Sequence, residues 1–160
     1  MITERFLYQI EEMFAISQNR QPCDVAFAEF PASHKDIISM FERDSYSILF
    51  NMEKVDELDE SEVVGSLIHE GRHAYQWVQV YESKNPVEPQ ETLEIWKEEF
   101  QNYLQPTDNN SNLKYVSQTL EIDAVAYTAI QLEKLELGRL IIPEEIKTQV
   151  QKRILEIKAK

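Results

Sequence analysis

The sequence predicts an α+β domain, mostly helical, with a small β-sheet beside one helix that carries paired histidines. Three observations predict it. Apolar residues recur at helical spacing along most of the 160 residues, and only 3 Gly and 6 Pro interrupt them. Two short segments, Val25–Phe30 and Tyr46–Asn51, are instead rich in β-branched and aromatic residues, as strands are. A hydrophobic fraction of 42% is enough to build a core and too high for a disordered chain. The length fits one domain, residues 1–160.

In chain order, a first helix is expected over about residues 2–17, with Phe6, Leu7, Ile10, Met13 and Phe14 at helical spacing. Gln21-Pro22 ends that region. Between the two strands, His34–Arg43 reads as a short helix or turn. The acidic run Met52–Glu60 leads into the histidine helix. Asp59 with Glu62 three residues later is a capping box, and Leu58 can staple onto Val63. That helix is expected to reach about Tyr81 and to stop before Asn85-Pro86. Pro89 opens another helix, which ends near Leu104, and the polar segment Gln105–Asn112 follows as a loop. A long helix is expected over about 113–137, closed by Gly138, and Pro143 opens the last one. Asp108, Asn110 and Asn112 imitate the alternating oxygen ligands of a calcium loop. Leu113 stands where that loop needs glycine and Thr119 where it needs a bidentate glutamate, so the segment reads as a plain loop.

Charge and cysteine content exclude several classes of function. The chain has 29 acidic and 16 basic residues, a formal charge of −13. Such a surface repels phosphate backbones and anionic bilayers, so neither nucleic acid nor membrane is expected as a partner. Cys23 is the only cysteine, which rules out an intrachain disulfide and a cysteine-rich metal site. The segment Met1-Ile2-Thr3-Glu4-Arg5 lacks the basic-then-apolar pattern of a secretory signal. No apolar stretch is long enough for a membrane span. The expected compartment is the cytoplasm, with signal-less export as the other route. The oligomeric state is not legible.

The chemistry is concentrated in His69-Glu70-Gly71-Arg72-His73, which uses two of the three histidines. Residues four apart lie one above the other on a helix, so the two imidazoles can bind one zinc ion. Glu70 lies about 100° round the helix from His69, beside the ligands without being one, where a general base for a water belongs. Leu67, Ala74, Val78, Gly71, Val64, Tyr75 and Ile68 fill the opposite arc and form a core stripe. The strand-like segment upstream suits a helix lying under a substrate-binding edge.

Catalytic zinc takes three protein ligands and keeps one position open. Gln76 and Gln79 stand where an extended signature would need glycine and a third histidine, so that route fails. His34 lies upstream without a motif. Glu121, within Leu120-Glu121-Ile122-Asp123-Ala124, is the better candidate. Its segment is strongly apolar, and a carboxylate buried there is costly unless it is paired or metal-bound. Ser117, Ala124 and Thr128 surround it with small side chains that let another helix approach. Asp123 is the rival, but it sits about 160° away on the helix, so both cannot address one ion. It could instead orient a histidine or pair with Arg72.

His-Glu-x-x-His followed by Glu-x-x-Ala on a later helix resembles the gluzincin branch of the zincin-like metallopeptidases. The matched segments are about 61–81 and 116–128. The resemblance implies His69, His73 and Glu121 as ligands of Zn2+, Glu70 as general base, and a polypeptide as substrate. Many gluzincins carry aspartate or asparagine four residues after the ligand glutamate. This chain has Val125 there, which leaves that supporting role empty or passes it to Asp123. The family also implies a residue that stabilises the transition state, for which Tyr115, Tyr127, Arg72 and His34 are all open. The expected function is zinc-dependent hydrolysis of peptide bonds. The alternatives are a zincin-like module that holds zinc without catalysis, and an acidic interaction protein in which residues 69–73 are a solvated face.

Overall fold

A computed structural model describes residues 1–103 and 112–160. The expected polar loop, with Asp108 and Asn110, lies outside the described residues except for its last residue, Asn112, which is helical. The fold is α+β, mostly helical with one three-stranded sheet. The chain divides into two compact units, Met1–Tyr75 and Gln76–Lys160.

In the first unit, α1 (Glu4–Ser17) starts where Thr3 Oγ1 accepts from the Phe6 amide at 3.1 Å, an N-cap that satisfies one orphan donor. The sheet contains β1 (Asp24–Ala28), β2 (Ser39–Glu42) and β3 (Ser47–Asn51) in the order β1-β3-β2. β1 runs parallel to β3, with Ala26 opposite Leu49, and β2 runs antiparallel to it, with Met40 opposite Leu49. β2 falls in the segment expected to be a helix or turn. A single 3-10 turn, Ala32–His34, precedes it and overlaps that segment only at His34. Ser39, Met40 and Glu42 have weak strand preference, and the pairing that β3 offers decides the outcome.

Asn51 ends β3 and caps the one-turn α2 (Met52–Val55). The histidine helix α3 (Glu60–Trp77) follows. Its start has the expected capping box. The Asp59 carboxylate accepts from the Glu62 amide at 2.9 Å, and Glu62 accepts from the Asp59 amide at 2.9 Å. Leu58 packs against the cluster that contains Val63. Val63, Leu67 and Ala74 of α3 share that core with Leu7, Ile48 and Phe50, so the apolar stripe of the helix is buried on the sheet as expected.

In the second unit α3 passes into one π turn, Val78–Glu82, close to the expected end at Tyr81. α4 (Gln90–Gln101), α5 (Asn112–Val116), α6 (Thr119–Lys134) and α7 (Lys147–Lys158) follow, with a 3-10 turn at Glu144–Ile146. The single helix expected over residues 113–137 is therefore two. The cause is Glu99 of α4, whose carboxylate accepts from the Thr119 amide at 2.6 Å, the Thr119 hydroxyl at 2.7 Å and the Leu120 amide at 3.0 Å. A carboxylate there satisfies the first orphan amides of α6 and favours a new helix start. The other end also differs. Glu136 takes the left-handed conformation (φ 56°), and Leu137 N–H reaches Leu132 O at 3.0 Å, closing α6 before Gly138. Ala126 of α6 packs with Ile146 and Val150 in a local core. Among the described residues, no helix is long and apolar enough to cross a membrane.

Candidate metal centre

α3 gives its two histidines the geometry that their spacing dictates. The His69 and His73 rings meet edge to face with centroids 4.9 Å apart. Among the described residues, one group of His, Cys, Asp or Glu side chains could hold a metal ion, and it consists of His69, His73 and Glu121. Each offers one ligand atom, and the three atoms lie within 4.8 Å of one another. A tetrahedral zinc ion holds neighbouring donors roughly 3.4 Å apart, so small side-chain rotations close such a group. Two imidazoles and a carboxylate make a donor set for a divalent cation of borderline softness. His73 and Glu121 are buried, at 6% and 2% exposure, and His69 is half-buried.

Burial extends round the whole motif. Glu70 and Arg72 are buried as well, so residues 69–73 do not form the solvated face that the interaction-protein alternative requires. Arg72 lies 4.0 Å from the Tyr75 ring centroid, a cation–π contact. Glu70 accepts two hydrogen bonds from β2. The Ser39 hydroxyl donates to Oε1 at 3.0 Å and the Phe41 amide donates to Oε2 at 2.9 Å. The strand that escaped the sequence reading thus supplies both donors to the candidate base.

Gly71 explains itself by what lies against it. A Cβ there would come within 2.9 Å of Arg20 Nη2 and of Glu11 Oε2. These two side chains form a buried ion pair, Nη1 to Oε1 at 2.5 Å and Nη2 to Oε2 at 3.1 Å, and Glu11 also accepts from the Cys23 amide at 3.0 Å. Burial, followed by the Glu11 charge, pushes the Cys23 thiol far up, so it is inert.

On α6, Glu121 and Asp123 take separate partners. The Tyr103 hydroxyl donates to Glu121 Oε1. Burial, and then the Glu121 charge, raise the Tyr103 phenol well above its ordinary value, so it remains a proton donor. Asp123, the rival ligand, is outside the group of three. It accepts from Arg153 Nε at 2.7 Å and from Gln76 Nε2 at 2.7 Å. Burial works against the Arg153 charge, and the Asp123 and Glu88 carboxylates outweigh it and raise its pKa. Gln76 also donates to Leu120 O at 2.9 Å, and Gln79 accepts from the Val87 amide at 2.8 Å. Both glutamines at the failed signature positions therefore build the second unit's frame.

His34 is outside the group of three and pairs its Nδ1 with the Ser33 hydroxyl at 2.7 Å. The Tyr115 ring lies edge-on to Tyr103 at 6.0 Å, and Tyr127 is buried in α6. Sequence reasoning missed Tyr103, because it follows the end of α4 with no motif around it. Comparison with known proteins finds no matching family model, no similar curated protein and no similar solved structure.

Proposed function

We propose that the chain is a zinc-dependent metallopeptidase of the gluzincin type. The observation that carries this reading is the group of His69, His73 and Glu121, half-buried at His69 and buried at the other two, with Glu70 next in sequence to the first of them. Zinc, when bound, supplies Lewis acidity toward a carbonyl oxygen and makes water a usable nucleophile near neutral pH. His69, His73 and Glu121 would hold it. Glu70 takes the proton of the attacking water and delivers it to the leaving amine, while its bonds to Ser39 and Phe41 fix the carboxylate against β2. Burial of the motif restricts bulk water, which strengthens every charge interaction there.

A second reading, zinc held without hydrolysis, is favoured by the same two bonds, since both Glu70 oxygens already accept from β2. One set of measurements separates the readings. Purified protein should contain stoichiometric zinc by plasma emission, and His73→Ala should lose it. Wild type should hydrolyse an unstructured protein such as casein, stop on chelation and recover with zinc. Glu70→Gln should keep the metal and lose hydrolysis. Zinc without hydrolysis selects the second reading, and metal-free wild type prepared without chelator overturns both.

A further inference from the structure

A buried carboxylate can meet a cation with one oxygen or with two. The two-oxygen mode suits large, oxygen-loving cations such as Ca2+, and the one-oxygen mode suits a four-coordinate zinc ion. Glu121 is not left to choose by its own rotamer. Its Oε1 accepts from the Tyr103 hydroxyl, which stands two residues past the end of α4. Tyr103 is itself braced, with the Tyr115 ring edge-on to it at 6.0 Å. A hydrogen bond to one oxygen of a ligating carboxylate fixes its orientation and opposes the two-oxygen mode.

We infer that Tyr103 is a positioning residue that holds Glu121 as a one-oxygen ligand, tuning the His69, His73, Glu121 group to zinc and against calcium or magnesium. The inference rests on reading that group as a metal site. Tyr103 donates to Glu121 Oε1, and it acts on affinity and selectivity through that ligand.

The test measures zinc affinity by competition with a chromophoric chelator, on the full chain, for wild type, Tyr103→Phe and Tyr115→Phe. Tyr103→Phe should lose about 10- to 100-fold in zinc affinity. With Co2+ in place of zinc, its visible band should weaken as a fifth donor enters, and excess Ca2+ should compete better than in wild type. Tyr115→Phe, which keeps the Tyr103 hydroxyl, should show a smaller loss in the same direction. If Tyr103→Phe does not fold by circular dichroism, wild type still tests the inference. Zinc addition should then perturb tyrosine absorption in the ultraviolet difference spectrum, and no perturbation overturns the role of Tyr103. Unchanged zinc affinity and an unchanged cobalt spectrum in folded Tyr103→Phe overturn the clamp alone. Wild type that takes up no zinc overturns the metal site, and the clamp with it.

Discussion

Glu121 and Asp123 stand two residues apart on one helix, and both are almost fully buried, yet they are stabilised in different ways. Asp123 faces a guanidinium at 2.7 Å and an amide at 2.7 Å, and Arg153 is further shared with Glu88 at 3.3 Å. This arrangement meets a buried charge with a charge of opposite sign from the same fold. Glu121 instead takes a phenolic hydroxyl and joins two imidazoles in a set of donors that suits a cation from outside. A buried acid by itself is therefore a poor marker of a site. The kind of partner it has been given is the better marker.

Substitutions at the two acids break the comparison most directly. Glu121→Gln should abolish zinc binding, measured by plasma emission. It should leave the metal-free melting temperature unchanged or higher, because an amide is less costly to bury than a carboxylate. Arg153→Ala should do the reverse. It leaves Asp123 and Glu88 buried beside a deleted cation and should cost about 3–5 kcal/mol in urea unfolding, with zinc content per folded molecule retained. If the two variants behave alike, the distinction drawn between the acids fails.

Gly71→Ala tests another buried acid, Glu11, whose pair with Arg20 presses on the motif helix. The added methyl should cost about 1–3 kcal/mol, read as a shift in the urea midpoint without a change in slope. The smallest effect belongs to an exposed acid. The Ser61 hydroxyl and then the Glu62 amide hold Asp59 below its ordinary pKa. Its cap therefore stabilises α3 above the unfolded-state pKa, and that contribution disappears as pH falls through the folded-state value. Asp59→Asn, which caps equally well, should remove this part of the acid dependence and leave neutral-pH stability nearly unchanged in pH-dependent melting curves.

What the sequence disclosed was local in origin. The Asp59–Glu62 box, the His69–His73 pair and the apolar stripe of α3 are fixed by spacing within a few residues, and each is found as expected. Burial of Glu121 followed from the apolar residues around it. What stayed hidden depends on partners far along the chain. β2 is a strand because β3 pairs with it, and its bonds to Glu70 span about thirty residues of sequence. α6 begins at Thr119 because Glu99, twenty residues earlier, caps it. Asp123 pairs with Arg153, thirty residues later on α7, where no periodicity pointed to it. The Tyr103 bond to Glu121 spans eighteen residues and has no motif around it, so it was hidden for the same reason.

The void that Gly71 leaves has a consequence for how the chain can vary. A bulkier residue at 71 and the Glu11–Arg20 pair compete for the same space, within 2.9 Å. The first unspecified position of the histidine motif is therefore not free to change by itself. Drift at any one of these three places, Glu11, Arg20 or Gly71, should be tolerated only alongside compensating changes at the other two, so they ought to be exchanged as a set in chains that share this arrangement.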